Sequence, residues 1–286
     1  MAASWQRLGD AVGCTRFGVN RVRIDPGRLS TPPHSHGASE EIVFVLGGTG
    51  FSWQDEQVYE LRPGDCVVHL ADHEEHTLRG GPAGLEVLIF GTRQQTEIGW
   101  LPRSGAVRFG WPWVEGRTDD PWELEAQADP LEFAEPAPRP ANILNVDDAE
   151  VVSDKGSDCE VELRYLSREA GSMQTGMRIE EVAAGKLNCP PHCHGAEEEF
   201  FLVLDGEGTC LLGDDEFPIR RGSFVGRPPG TGVAHAFRGP LTLLTYGTRE
   251  PNDICYYPRS NKIGFWGVGV VARIESLDYW DGEPAG

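Results

Sequence analysis

The chain has 286 residues and a formal net charge of −20, with 36 glycines and 21 prolines spread along it. A surface this acidic repels a phosphate backbone, so nucleic acid is excluded as an expected partner and the charge is read as a solubility feature. The apolar runs are short, FFLVL at 200–204 being typical, and none approaches the roughly 20 residues of a membrane-spanning helix.

The length suits one large domain or two ordinary ones. Frequent Gly and Pro favour turns over long helices, and hence an all-β fold. The opening MAASWQRLGDAVGCTRFG lacks the basic start and apolar core of a secretory signal. Seven cysteines, an odd number with no C-x-x-C pair, read as free thiols in a reducing cytoplasm.

In chain order, the first feature is PPHSHGASEE at 32–41, and it returns as PPHCHGAEEE at 190–199. A shift of 158 residues carries His34 onto His192, Gly27 onto Gly185, Gly48 onto Gly206 and Gly64 onto Gly222. Further on the shift is 156, and GTRQQTEIGWLPRS at 91–104 falls on GTREPNDICYYPRS at 247–260. The chain is thus one unit written twice: a first copy over 5–109, a Pro-, Glu- and Trp-rich linker over 110–162 wrapped on the surface, a second copy over 163–265, and a tail over 266–286. Within each copy, short apolar and β-branched runs alternate with turns such as RPGD and DGEG, the pattern of a sandwich or barrel. The most helix-like piece, DDPWELEAQA, is short and lies in the linker.

Of eight histidines, six match between the copies: His34 with His192, His36 with His194, and His76 with His235. On a strand, residues i and i+2 share a face, so the two rings of H-x-H converge on one point. A Gly-containing turn follows, and a carboxylate, Glu41 or its neighbour Glu40 (Glu199 or Glu198 in the second copy), enters from the next strand. The third histidine comes about forty residues later, on a strand that a barrel can bring alongside. Three neutral imidazoles and one carboxylate suit a divalent transition metal (Fe, Mn, Ni, Co, Cu or Zn), up to two per chain, with coordination positions left open.

These residues resemble the first motif of the cupin superfamily, roughly G-x5-H-x-H-x(3,4)-E-x6-G, and its repetition resembles the two-domain bicupins. Gly27, His34, His36, Glu41 and Gly48 follow it with one extra residue after the first glycine, as do Gly185, His192, His194, Glu199 and Gly206. The family spacing favours Glu41 and Glu199 over Glu40 and Glu198, because each stands seven residues before the closing glycine. The family's second motif, G-x5-P-x-G-x2-H-x3-N, is kept in the second copy as Gly222, Pro228, Gly230 and His235 with two extra residues. It is worn in the first, where Leu70 and Asp72 stand beside Gly64 and His76, and the closing Asn is absent from both. The resemblance implies two tandem jelly-roll barrels, each with its own metal, and makes the first copy the more probable one to have lost its ion. Bicupins resemble fused cupin dimers, which leaves a homo-oligomer of paired barrels open.

Strand alternation puts Val43 and Val45 on the side of Glu41, Phe201 and Val203 on that of Glu199, and Phe237 on that of His235, so a mainly apolar cavity is expected beside each metal. His69 and His73 have no counterpart in the second copy and are read as surface or supporting residues, with His73 a rival to His76. The repeated G-T-R-x3-[DE]-I-x-[WY]-x-P-R-S motif, with Arg93, Glu97 and Arg103 in the first copy and Arg249, Asp253 and Arg259 in the second, is read as a clamp that pairs arginine with carboxylate, and binding of a substrate carboxylate by one of these arginines stays open. Trp111, Trp113 and Trp122 are expected to pack over a barrel, with a pocket lid as the alternative.

The expected function is a metal-dependent dioxygenase acting on a small oxygen-chelating substrate. A metal-dependent decarboxylase or sugar isomerase, and a non-catalytic small-molecule-binding bicupin, stay open. Bicupin oxalate decarboxylases carry an arginine three residues before H-x-H, where this chain has Thr31 and Cys189; that departure argues against oxalate.

Overall fold

In the run that follows Glu41, the residues Ile42, Val43, Phe44 and Val45 are all buried, so this strand hides both of its faces. That explains a sequence apolar in succession rather than in alternation. The computed structural model describes residues 2–71, 74–109 and 125–283. Two similar β-structures follow one another along the chain. In the first, a sheet runs in the order Ala3–Arg7, Phe17–Ile24, His76–Thr92, Glu41–Gln54, Asp65–His69, Ile143–Asn145, with Gln57–Leu61 paired to Glu41–Gln54. In the second, the order is Val152–Lys155, Glu160–Arg164, Thr175–Val182, Leu241–Thr248, Glu199–Leu212, Asp215–Arg220, with Phe224–Arg227 and His235–Arg238 also on Glu199–Leu212.

The H-x-H pairs lie on two-residue strands, Ser35–His36 and Cys193–His194, in small separate sheets. Ser35–His36 pairs with Ile98–Leu101, and Cys193–His194 with Ile254–Tyr257. Isolated bridges then join His34 to His76 and His192 to His235, which closes each barrel beside its histidines. The glycines that end the first family motif meet a close approach: Gly48 has φ +75° and Gly206 φ +88°. A Cβ there would fall 2.3 Å from the Gly84 carbonyl oxygen or 2.4 Å from that of Pro240, so only glycine fits.

Each strand's inward face builds a barrel core: Val22, Val43, Val67 and Val87 in the first, Val182, Phe201, Phe237 and Leu243 in the second. The outward faces make one further core shared by both barrels, in which Phe17, Phe44 and Phe90 pack against Met177, Phe200 and Tyr246. Phe90 stacks on Tyr246 with ring centroids 4.4 Å apart. The two copies are therefore joined by apolar burial, the dominant favourable term in such contacts.

The segment read as linker, 110–162, contributes strands to both sheets: Ile143–Asn145 edges the first barrel, and Val152–Lys155 with Glu160–Arg164, which runs on into the second copy, edges the second. Asn145 and Arg139 hold the buried Asp65 there, Asn145 Nδ2 donating at 2.7 Å and Arg139 Nη1 at 2.6 Å. One helical turn, 125–127, falls in the piece read as helical. Trp111, Trp113, Trp122 and His73 lie outside the described residues. No helix among the described residues is long and apolar enough to cross a membrane.

Candidate metal centres

In the first barrel, His34, His36, Glu41 and His76 each bring one ligand-type atom within 4.8 Å of the others. Glu41 Oε2 lies 3.8 Å from His36 Nε2, and Glu41 Oε1 lies 3.6 Å from His76 Nε2. In the second barrel, His192, Glu199 and His235 meet the same 4.8 Å condition. Glu199 Oε2 is 2.9 Å from His235 Nε2 and 3.4 Å from His194 Nε2. His194 also groups with His192 and the buried Cys255, a neighbour that the repeat did not single out. The first copy, whose second motif is worn, thus forms the set in which all four residues meet at once.

The backbone sets which ring nitrogen faces inward. His34 Nδ1 is 3.0 Å from the Pro32 carbonyl, His192 Nδ1 3.0 Å from that of Pro190, and His76 Nδ1 3.1 Å from that of Glu74. A carbonyl only accepts, so each Nδ1 carries the proton and Nε2 keeps its lone pair toward the cluster. His36 Nε2, His76 Nε2, His194 Nε2, His235 Nε2 and Glu199 Oε2 are buried with no hydrogen-bond partner among the described residues. Buried polar atoms are ordinarily satisfied. An array of unpartnered imidazole nitrogens gathered around a carboxylate fits a cation held between them.

The electrostatics follow from burial and proximity. Burial, with His76 and His36 nearby, pulls the His34 pKa down to about 3. Burial and His235 pull that of His192 down to about 4. For His36, burial acts downward but Glu41 and Glu97 outweigh it and lift the pKa to about 9. Burial would raise Glu41 and Glu199, yet the adjacent imidazoles hold both carboxyls well below the usual range.

The carboxylate of the repeated GTR motif has a different role from the expected clamp. Asp253 Oδ2 is 2.6 Å from His194 Nδ1, while its Oδ1 accepts from the backbone N–H groups of Ala196 and Glu197 at 2.8 and 3.0 Å. Glu97 accepts from Gly37 N and Ser39 N at 3.1 and 2.6 Å and lies 3.4 Å from His36 Nδ1. The pairing of arginine with this carboxylate is corrected: the turn after H-x-H presents N–H groups that claim it first. Arg93 instead pairs with Asp10 and donates to the Cys14 carbonyl, and Arg249 donates to that of Ser172. Arg103 faces the buried Glu125, and Arg259 faces Asp158 on the surface. Sequence reasoning had the signal for Glu97 and Asp253, a carboxylate kept at one position in both copies, but assigned it the wrong partner.

Glu40 and Glu198, the rivals at the shorter spacing, point away from the histidines. Glu40 accepts from Ser172 Oγ at 2.6 Å, Thr175 Oγ1 at 2.5 Å, and the N–H groups of Met173 and Gln174 at 2.7 and 3.1 Å. Glu198 accepts from the N–H groups of Thr15 and Arg16, both at 2.9 Å. His69 is 1% exposed, lies 2.5 Å from Glu74 through Nδ1, and stacks on His76 at 3.9 Å. It braces that ring from inside rather than standing on the surface.

A cavity of about 740 Å³ opens onto His34, His36, Glu41 and His76, and one of about 500 Å³ reaches Glu199. The expectation that both are mainly apolar needs correction in the second barrel, where Arg178 and Thr245 also line the space. They come from strands outside the motif regions, which the alternation argument did not include.

Residues 20–82 and 178–245 each match the cupin domain model. No curated protein sequence matches the chain. Oxalate decarboxylase from Bacillus subtilis superposes with a TM-score of 0.55 at 13% identity, covering 86% of this chain and 71% of that one. Protein Ylba from E. coli gives 0.55 at 14% identity, over 86% of this chain and 82% of that one. At these identities the likeness is one of fold. A sugar phosphate isomerase of the cupin superfamily from Silicibacter pomeroyi is 37% identical over 35% of this chain and 64% of that one, with a TM-score of 0.34. The barrel occurs twice and the cupin domain model matches each copy, so the chain carries two cupin domains in tandem.

Proposed function

We propose that this bicupin binds two divalent transition-metal ions, one through His34, His36, Glu41 and His76 and one through His192, His194, Glu199 and His235, and acts as a metal-dependent enzyme on a small substrate that chelates through oxygen. The observation that carries this reading is the set of buried, unpartnered Nε2 atoms grouped around a carboxylate in both barrels, joined in the second by Glu199 Oε2. A bound ion of this class acts as a Lewis acid toward an oxygen ligand and keeps positions open for it.

The chain's own residues supply the rest. Backbone carbonyls hold His34, His76 and His192, and the Asp253 carboxylate holds His194, as partners of ligating histidines ordinarily do, while the Glu97 carboxylate lies beside His36. The barrel walls carry Ile89 and Leu78 beside the first cluster, which limits water and favours a ligand with an apolar body.

Dioxygenation is the first reaction to test. Elemental analysis of protein purified without added metal gives identity and stoichiometry, and oxygen uptake is then followed with enolisable and phenolic substrates. Two ions per chain and uptake with one of them support the reading. An ion content near zero, or no uptake with any of the six metals, would refute the metal or the oxygenase part respectively. Release of carbon dioxide or isomerised product without oxygen uptake favours the decarboxylase or isomerase alternative.

A further inference from the structure

The two barrels differ at one pair of inward residues. On Thr175–Val182 the outward residues Met177 and Ile179 enter the shared core, so Arg178, between them, faces the second barrel's interior. Its cross-strand partner is Thr245, and Thr245 in turn pairs with Phe201, whose ring lines that interior. The next inward row is Gly176, Gly247 and Glu199, so two residues without side chains leave space between Arg178 and the proposed ligand Glu199. The equivalent pair in the first barrel is Asn20 and Ile89, beside the row Gly18, Gly91 and Glu41.

Arg178 is anchored but not used up. Its Nε donates to the buried Glu180 at 2.7 Å, and Glu180 also accepts from Asn188 Nδ2 at 2.8 Å. Neither Nη atom makes a hydrogen bond among the described residues, and the side chain is 36% exposed toward the cavity it lines. Thr245, 2% exposed, has a buried Oγ1 with no partner among the described residues. A guanidinium edge with free N–H groups beside an unsatisfied hydroxyl is a receptor for an oxyanion. The charges agree: Arg168, Arg178 and Arg249 line this cavity against Glu197 and Glu199. The first cavity has Arg7 and Arg93 against Asp10, Glu40, Glu41 and Glu97.

We propose that the second barrel takes a small molecule bearing a carboxylate or phosphate, held by the Arg178 guanidinium and the Thr245 hydroxyl, and that the first barrel, with Asn20 and Ile89, does not. The inference rests on the metal reading only for the far end of that molecule. The two cavities are therefore not duplicate sites: the second prefers an anion and the first a neutral ligand.

Calorimetric titration of the full chain with malonate and, separately, inorganic phosphate tests this, before and after chelation, with metal content measured on the same samples. Wild type is expected to bind one of the probes at one site per chain, and the tighter probe identifies the headgroup. Arg178→Asn weakens it by roughly tenfold or more and Thr245→Val by a smaller factor, both with unchanged metal content. Thr245→Val, nearly isosteric, decides the matter if the arginine variant does not fold. Failure of wild type to bind either probe, or equal binding by wild type and a folded variant, overturns the proposal. Arg178-dependent binding that survives chelation upholds it, and the same binding in a protein that holds no metal as purified upholds it while refuting the metal reading alone.

Discussion

Glu40 and Glu41 are adjacent, and their carboxylates serve opposite sides of the wall: Glu41 turns to His36 and His76 inside its own barrel, while Glu40 reaches out to residues 172–175 of the other copy. Glu198 returns the contact to Thr15 and Arg16. Each loop that receives such a glutamate is braced by an arginine of its own GTR motif, Arg93 on the Cys14 carbonyl and Arg249 on that of Ser172. The pair therefore separates two functions by one residue. Glu40→Ala is expected to lower the unfolding free energy by about 3 kcal/mol, since it strips several hydrogen bonds from a buried charge and orphans their donors, and to leave metal content unchanged. Glu41→Ala is expected to lose the ion of the first barrel with a smaller change in stability. Denaturant unfolding and elemental analysis on both variants check this, and a metal loss in Glu40→Ala would reverse the assignment.

The two proposed centres draw on separate strands and separate loops, so they should empty independently. His76→Ala and His235→Ala are each expected to reduce a two-ion protein to one ion per chain, and the double variant to none. Equal stoichiometry in all three would remove these histidines from the ligand sets.

Glu97 and Asp253 touch histidines rather than the proposed ion. Loss of such a carboxylate ordinarily lowers metal affinity by roughly 10–100-fold while the ligands remain. Glu97→Gln and Asp253→Asn are expected to behave so in competition with a chelator. The larger effect is expected for Asp253, which lies 2.6 Å from its histidine against 3.4 Å for Glu97. Unchanged affinity in both would leave these residues a purely structural place in the turn.

An ion that binds the folded chain and not the unfolded one stabilises it by mass action. Chelation is expected to lower the thermal midpoint of wild type and to do nothing to Glu41→Ala/Glu199→Ala. A chelator effect of equal size in the double variant would place the responsible ion elsewhere.

The thiols make a pH-dependent prediction. Burial, with smaller contributions from Glu198, Asp158 and other neighbours, pushes Cys14 up to about 12 and Cys159 and Cys210 up to about 11. Unfolded thiols titrate near about 8.5, so these groups leave stability untouched below that pH and subtract from it progressively up to their folded values. At pH 8 the three thiols should react with a disulfide reagent far more slowly in the native protein than in denaturant, and the urea midpoint should fall between pH 8.5 and 10.5. Fast native reaction of all three would contradict their protonated, buried state.

Much was legible because a duplication acts as its own control. Matched rare residues at the same offset exposed His34, His36 and His76 with their counterparts, and period-two alternation put Val43, Val45, Phe201 and Val203 inside. The same logic marked Glu97 and Asp253 as a matched pair but could not say that the turn after H-x-H would turn its N–H groups on them. Local spacing also could not separate Glu40 from Glu41, because the Gly-containing turn breaks the alternation before either residue; only the family spacing favoured one.

By itself the sequence determined the all-β duplicated architecture and marked the histidines to be brought together, since strand periodicity is local and the repeat matches rare residues at a fixed offset. Tertiary structure alone decided what Glu40 and Glu198 are for and what faces Arg178, because those contacts join residues more than 130 positions apart or depend on which strand lies next to which. Strand neighbours are chosen by the packing of whole sheets and not by any local pattern, so the partnership of Arg178 with Thr245, 67 residues on, exists only once the second barrel has closed.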